Sequence, residues 1–254
     1  MTQLLKEFKN QAEAYTSNTD TNIFDYSINI SLQYNYLYTE TPKVACSTIK
    51  TILQKIELNN PSFYREEFED IHRREFSPLL KPSQIGNLDD FIKSDRLYKF
   101  CFTRNPFTRI LSSFVDKIEN NKPQKSKILK LLSLDQKQLD TPISFLDFLK
   151  VIKSQDIIDL DPHWRCQYYQ TFQDTIQYDF TGRIENFPTD LEIVLSNITP
   201  NYKDFVSHER RHATNANALI EKYFTPESIK LVQEIYAIDF DYFSYELDIA
   251  SANS

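Results

Sequence analysis

The sequence predicts a three-layer α/β fold, in which helices cover both faces of a central parallel sheet. Three short aromatic segments have the composition of buried strands, namely Tyr34–Tyr38, Tyr98–Phe102 and Tyr178–Thr181. Segments with helical spacing of apolar residues alternate with these strands, and that order favours a parallel sheet with its ligand at the carboxyl ends of the strands. A length of 254 residues allows one domain with a full core.

The first strand leads into a loop and a helix start. The stretch TPKVACSTIKT, Thr41–Thr51, follows the apolar run Ile30–Tyr38 and opens a helical apolar stripe made of Ile49, Ile52, Leu53 and Ile56. A strand–loop–helix junction directs backbone N–H groups and the positive end of the helix dipole at one point, which suits a phosphate. The loop is P-loop-like but lacks the usual glycines, because the chain has only Gly86 and Gly182. Plain capping and solvated charge are the alternative for its Lys, Ser and Thr residues.

A second strand, loop and helix follow in YKFCFTRNPFTRILSSFVD, Tyr98–Asp116. Pro106 stands where a helix commonly begins, and Arg104 comes at the carboxyl end of the strand. Ser112 shares a helix face with Arg109 by its i, i+3 offset, so a guanidinium lies beside a hydroxyl as in a phosphate clamp. The alternative is that Arg104 pairs with an acid and Ser112 only packs.

Together the two elements resemble the paired nucleotide-binding motifs of sulfotransferases that use 3′-phosphoadenosine 5′-phosphosulfate (PAPS), in particular the carbohydrate (chondroitin 4-O type) branch. Three later segments resemble the family's motifs in the same order: DPHWRCQYY (Asp161–Tyr169), YDFTGRIENF (Tyr178–Phe187) and EIYAIDFDYFSYE (Glu234–Glu246). The resemblance spans roughly residues 40 to 246. The chain departs from it at Ile49, where family members commonly have Trp, and at Thr51, where they have Arg.

The resemblance implies which residues bind the donor. The first motif would hold the 5′-phosphosulfate, and the second, through Arg104 and Ser112, the 3′-phosphate. Arg210 lies in a basic cluster with His208, Arg211 and His212 that resembles a late loop closing on the nucleotide, although a solvated charge run is an equal alternative. The residues expected to bind the donor in the first motif are Lys43, Ala45, Cys46, Ser47, Thr48 and Lys50.

Sulfuryl transfer needs a cation on the leaving side and a base on the attacking side. Lys43 is the expected cation. His72 is the expected base, since it lies between the two nucleotide motifs, and family members have a His in a comparable place. The alternatives are that His72 is a surface residue of the charged run REEFEDIHRRE, and that His163 is the base.

Three residues are expected to line the acceptor site. His163 and Trp164 belong to the HW segment, where a structural role is the alternative, and Glu185 would orient the acceptor unless it pairs with an Arg. The predicted activity is PAPS-dependent O-sulfation of a small neutral or cationic acceptor, a sugar or a specialised metabolite. A non-catalytic 3′-phosphonucleotide-binding module is the alternative. The oligomeric state is not predicted.

The composition of the chain limits the classes of binding partner and the cellular compartment that we expect. A net charge of −7 disfavours nucleic acid and polyanionic glycans, which need a basic face. Cys46, Cys101 and Cys166 fit neither a disulfide framework nor a zinc pattern, so we expect reduced thiols and no metal. The helix start would lower the pKa of the Cys46 thiol. The polar opening MTQLLKEFKNQAEAYTS and the absence of Cys after the HW segment predict a cytoplasmic protein without a membrane span.

No linker or repeat divides the chain, so we expect one sulfotransferase domain over residues 1–254. Within it we expect a helical N-terminal extension over residues 1–28 and an exposed insertion over residues 120–140, helical at ILKLL. Further helices should begin at Thr141-Pro142, near Pro188 and at Thr225-Pro226.

Overall fold

The computed structural model describes residues 23–65, 71–206 and 216–253. The chain clusters into two compact units, the first made of residues 1–103 and 171–210 and the second of residues 104–170 and 211–254. The single domain expected from the sequence stays a prediction. The expected extension over residues 1–28 falls mostly outside the described residues, and what is described of it is a short helix α1, Ile23–Ser27, followed at Ile28 by a strand.

The first unit contains a four-stranded sheet in the order β1-β2-β3-β4. Its strands are β1 (Ile28–Ser31), β2 (Tyr36–Thr39), β3 (Tyr98–Thr103) and β4 (Phe180–Arg183). Strands β2, β3 and β4 are parallel, and β1 pairs with β2 in the antiparallel direction. The predicted α/β class with a mainly parallel sheet is therefore confirmed.

The prediction of one strand within Ile30–Tyr38 is wrong in detail. A turn at residues 32–35 divides this run into β1 and β2, which form a hairpin with Ile30 opposite Leu37. Asn35 in the turn has a φ of 52°, a left-handed conformation that Asn tolerates better than most residues. The apolar residues on both sides of the turn concealed it in the sequence.

Apolar side chains cover both faces of the sheet, as the three-layer prediction requires. Alternate residues of a strand point to opposite faces, so Tyr36 and Tyr38 belong to one core and Leu37 to the other. Helices α2 (Cys46–Glu57) and α8 (Phe187–Ile198) pack on the first face. Residues of α1 and of helix α3 (Leu88–Ile92) pack on the second.

Strand β4 begins two residues later than the predicted Tyr178–Thr181. The Tyr178 hydroxyl donates to the Thr171 carbonyl at 2.7 Å and lies 2.7 Å from the Thr39 hydroxyl, from which it can accept. Those bonds hold Tyr178 outside the ladder, and pairing with β3 starts where Phe180 faces Phe100.

The second unit is helical where the structure describes it. Its α-helices are α4 (Pro106–Ser113), α5 (Lys125–Leu131), α6 (Phe145–Lys153), α7 (Gln167–Gln170), α9 (Ala216–Tyr223), α10 (Pro226–Ile235) and α11 (Ala237–Tyr242). A π-helical turn, Phe114–Glu119, continues α4. Aromatic rings pack together in the core, in which Phe114 contacts Phe145 and Phe148, and Phe107 contacts Phe240. Across the described ranges, no helix is long and apolar enough to cross a membrane.

Most helix starts agree with the proline and capping signals. Helices α4, α8 and α10 begin at or next to Pro106, Pro188 and Pro226, with Thr225 accepting a hydrogen bond from the Ser228 N–H at 3.2 Å. The start predicted at Thr141-Pro142 is wrong. Helix α6 begins at Phe145, because the Ser144 hydroxyl accepts the N–H of Asp147 at 3.0 Å and forms the cap instead.

The segment 120–140 is largely exposed but anchored. Its helix α5 starts three residues before the predicted ILKLL stretch. Ile128 and Leu129 are buried, and the Lys125 ammonium, also buried, donates to Asn121 Oδ1 at 2.7 Å. The segment therefore packs through one helix face.

The packing of β4 against β3 can be tested by comparing substitutions at the chain's two glycines, Gly182 and Gly86. Gly182 lies opposite Phe102 in the ladder, and a Cβ there would lie no more than 2.8 Å from three atoms of the Phe102 ring. We expect Gly182→Ala to lower the free energy of unfolding by about 1–3 kcal/mol, the usual cost of overpacking. Gly86→Ala is the control, because nothing lies within 4 Å of its added methyl group. Equal denaturation midpoints for the two variants would contradict this account of Gly182.

Candidate functional site

The loop between β2 and α2 has the predicted P-loop-like geometry without glycine. Lys43 and Ala45 have φ values of 70° and 51°, and Ala45 is the N-cap of α2. Left-handed residues in a turn orient consecutive N–H groups toward one concavity, and the first turn of a helix adds N–H groups without intrahelical partners. The backbone is therefore suited to an anion even though two non-glycine residues adopt strained conformations.

The predicted donor-binding residues of this loop differ in their exposure to solvent. Lys43, Ala45, Ser47 and Thr48 are half-buried and reach the solvent side. Lys50 does not, and its prediction as a donor-binding residue is corrected. Its side chain is buried, and its ammonium forms an ion pair with the carboxylate of Glu40, which is also buried. Lys50 faces inward because it occupies the buried side of α2 together with Ile49 and Leu53.

Cys46 is likewise buried, so its thiol is not placed to bind a ligand. Burial raises the pKa of this thiol to about 11, and the negative charge of Glu40 adds to the effect. The expected lowering by the helix N-terminus is therefore wrong, because desolvation outweighs the nearby positive charges. The thiol is protonated at neutral pH.

His72 contacts the loop directly. Its Nε2 lies 2.9 Å from the Ser47 hydroxyl oxygen, a hydrogen bond between residues that are 25 positions apart. The imidazole is half-buried in a short helical turn that ends at His72. The structure thus brings together the predicted base and a predicted donor-binding hydroxyl within the first unit.

The second motif is organised around Arg104 in the second unit. Arg104 follows β3 directly in the chain, and its Nε donates to Thr108 Oγ1 at 3.0 Å. Ser112 lies one helical turn beyond Thr108 on the same face of α4 and is half-buried. The guanidinium therefore lies along the helix face that presents the Ser112 hydroxyl.

Arg109, matched to this motif in the sequence, has another role. It is buried, and its guanidinium donates to the carbonyls of Arg165 at 2.7 Å and Pro162 at 3.0 Å. The predicted pairing of Arg109 with Ser112 as a phosphate clamp is therefore corrected. Arg109 fixes the main chain of the HW segment, whereas Arg104 bonds to Thr108 on the helix face that also carries Ser112.

The sequence did not identify the residues that hold Arg104. The Arg104 N–H donates to Gln167 Oε1 and the Gln167 amide donates back to the Arg104 carbonyl, both at 2.8 Å. Asp239 accepts the N–H groups of Gln167 and Tyr168 at 2.8 and 2.9 Å. Burial raises the pKa of Asp239 to about 6, although these two N–H donors lower it. Gln167 lies in the segment DPHWRCQYY and Asp239 in the segment EIYAIDFDYFSYE, both of which resemble family motifs. That resemblance was the signal by which the sequence could have identified them.

The HW segment is mainly structural. Trp164 is buried in the core of the second unit against Phe148, so its prediction as an acceptor-binding residue is wrong. His163 is half-buried, and its Nδ1 lies 2.7 Å from Asp161 Oδ1. Burial raises the pKa of Asp161, but its bonds with His163 and the charge of Arg165 outweigh burial, so the net shift is downward. The His163 ring is thus held by a local carboxylate.

Two remaining predictions have less support in the geometry. Glu185 is half-buried in the 3₁₀ turn Ile184–Asn186, directly after β4, and stays a predicted acceptor contact. Arg210 and the histidines at 208 and 212 lie outside the described residues.

The fold and these two loops define an α/β protein with two strand–loop–helix junctions, a geometry that suits phosphorylated ligands. The sulfotransferase family model matches residues 26–246, so the chain belongs to the sulfotransferase family. The resemblance inferred from the motifs is confirmed. No solved structure is significantly similar to the chain.

Curated relatives place the chain near the carbohydrate branch. It is 24% identical to carbohydrate sulfotransferase 14 of Danio rerio, over 85% of this chain and 61% of that protein. It is 25% identical to carbohydrate sulfotransferase 14 of Mus musculus, over 86% and 60%, and 27% identical to carbohydrate sulfotransferase 8 of Homo sapiens, over 84% and 53%. The chain thus spans between half and about three-fifths of the length of these relatives.

The ion pair beneath the loop leads to a stability prediction. Replacing one partner of a buried pair leaves an uncompensated charge, so Lys50→Met and Glu40→Leu should each lower the free energy of unfolding by about 3–5 kcal/mol. The double variant should lose much less free energy of unfolding than the sum of the losses in the two single variants, as measured by chemical denaturation. Lys150→Met is the control. Its exposed pair with Glu227, 3.0 Å apart, should contribute less than about 1 kcal/mol. Additive losses in the double variant would contradict the pairing.

Proposed function

We propose that this chain transfers the sulfuryl group of PAPS to a hydroxyl of a carbohydrate, with His72 as the general base. The contact between Ser47 and His72 is the observation that carries the proposal, because it joins an imidazole to the phosphate-binding type of loop. Family membership supports sulfate transfer, and PAPS as the donor rests on the family resemblance of the two motifs.

The residues on the loop fit a phosphorylated donor. The Ser47 and Thr48 hydroxyls and the first-turn N–H groups of α2 supply hydrogen-bond donors, and Lys43 supplies a positive charge on the half-buried side of the loop. PAPS supplies the sulfuryl group, with its 5′-phosphate as the leaving group. Lys43 would stabilise the negative charge that develops on the leaving side.

His72 would act on the acceptor side of the same loop. An imidazole titrates near neutrality and can take the proton of an attacking hydroxyl when it lies within hydrogen-bond reach. The bond to Ser47 limits the orientation of the ring. The two remaining donor contacts, Arg104 and Ser112, are proposed to bind the 3′-phosphate by their match to the second motif.

The relatives reduce the range of acceptor molecules that the sequence predicted. All three named relatives are carbohydrate sulfotransferases, which favours a sugar over an alkaloid-like metabolite. The net charge of −7 still argues against a long anionic chain, so a neutral sugar is the proposed acceptor. The cytoplasmic location stays a prediction from the sequence.

The catalytic proposal is tested with labelled PAPS and a panel of neutral sugars, read by mass spectrometry as the gain of one sulfuryl group. His72→Ala should lower turnover by about 10²- to 10⁴-fold, the usual effect of losing a general base. Its affinity for adenosine 3′,5′-bisphosphate should change little, because the imidazole acts on the acceptor.

His163→Ala is the control, since its ring is bonded to Asp161 in the second unit. It should keep most of the turnover. Full activity in His72→Ala together with loss of activity in His163→Ala would show that the base is assigned wrongly.

Recognition of the 3′-phosphate gives a separate prediction. The native protein should bind adenosine 3′,5′-bisphosphate more tightly than AMP, measured by calorimetry. Arg104→Ala should lose about 2 kcal/mol of binding to the bisphosphate, about 30-fold, with AMP affinity nearly unchanged. Arg96→Ala, at an exposed arginine, serves as the control for charge alone. If the native protein binds both nucleotides equally, the PAPS proposal fails.

A further inference from the structure

The segment that carries His72 has little regular structure of its own. A helical turn ends at His72, residues 74–76 form a hydrogen-bonded turn, and the chain rejoins the sheet only at Leu80, which pairs with Ile30. A base works only when its ring is held close to the productive position. One contact that can fix the position of such a segment is a buried side chain bonded to the rest of the first unit.

Arg74 supplies that contact. Its side chain is buried, and the five N–H donors of a guanidinium all have acceptors. Nε donates to the Asp25 carbonyl at 2.9 Å, Nη1 to Asn29 Oδ1 at 2.5 Å and to Ser77 Oγ at 3.2 Å. Nη2 donates to the carbonyls of Ile28 and Leu80, both at 3.0 Å.

These acceptors tie the segment to the rigid part of the first unit. Four of the five bonds reach α1, β1 or the residue paired with β1, where the backbone is already fixed by the hairpin. Arg74 stands two residues after His72, so their Cα atoms are at most about 7 Å apart. A shift of the Arg74 main chain therefore also displaces the main chain of His72.

We propose that Arg74 is a positioning residue that holds the His72 imidazole at the phosphate loop. The proposal rests on the proposed role of His72 as the base. Arg74 does not touch the reacting atoms; it acts through the main chain of residues 72–74. The fork shape of the guanidinium is essential, because an ammonium has three donors on one atom and cannot reach acceptors spread over α1, β1 and Leu80.

The neighbouring arginine provides a matched control. Arg73 has the same side chain in the same segment, but it is 54% exposed and its guanidinium contacts Glu75 and the Phe76 ring. Charge, chain position and residue type are nearly constant between Arg73 and Arg74. The two arginines differ in burial and in the anchoring to β1.

The experiment compares Arg74→Lys with Arg73→Lys in the full chain. Arg74→Lys should lower kcat by about 10- to 100-fold, as expected for a base displaced by about 1 Å, with affinity for adenosine 3′,5′-bisphosphate within about threefold of native. Carbethoxylation of His72 by diethyl pyrocarbonate, followed by mass spectrometry of its peptide, should become several-fold faster. Arg73→Lys should change none of these quantities.

The chemical modification separates this proposal from the proposed function. If the native protein transfers no sulfate, the proposed function fails, and the reactivity of His72 still decides the role of Arg74. Should Arg74→Lys fail to fold, Asn29→Ala carries the test, because it removes a single acceptor of the guanidinium and should show a smaller change of the same kind. A folded Arg74→Lys with native turnover and native His72 reactivity overturns the proposal, as does an equal loss in Arg73→Lys.

Discussion

The ion pair between Glu40 and Lys50 is the interaction on which the loop between β2 and α2 depends. It links the residue that follows β2 to the second turn of α2, and the loop closes between these two points. The loop contains two left-handed residues without glycine, each at a cost of about 1–2 kcal/mol. Such strain persists only where the surroundings determine the backbone. A buried pair, which resists separation because neither charge can be left alone in the core, provides that constraint.

Main-chain anchoring by buried polar side chains recurs in both units. Arg74 binds carbonyls of the first unit, whereas Arg109 and Gln167 bind the main chain of the second. In each case a side chain with several donors or acceptors replaces the regular hydrogen bonding that a loop lacks. His72 and Arg104 therefore sit outside the strands and α-helices, on segments that are nevertheless fixed. This arrangement reconciles loop-borne chemistry with the positional accuracy that a transfer reaction requires.

The sequence predicted the class of fold, the strand–loop–helix junctions and most helix starts, because apolar periodicity, proline and capping residues act locally. The sequence did not predict which side chains are buried by tertiary packing and which reach solvent. Lys43 and Lys50 are the same residue type seven positions apart, and only the packing of α2 shows that one is half-buried and the other enclosed. The same holds for Arg73 and Arg74, and for Trp164, whose aromatic ring suits a sugar site or a core equally well. The β1–β2 turn was hidden for a related reason, since its flanking residues are apolar on both sides.

The burial of Trp164 has a practical consequence for spectroscopy. It is the chain's one tryptophan, and it lies wholly within the core of the second unit, against Phe148 and beneath the Tyr236 hydroxyl that donates to its carbonyl at 2.7 Å. Tryptophan emission therefore reports on the packing of that unit alone, whereas far-ultraviolet circular dichroism reports on the helices of both. Coincident melting curves from the two signals would mean that the halves unfold as one cooperative body; separated curves would mean that each has its own transition.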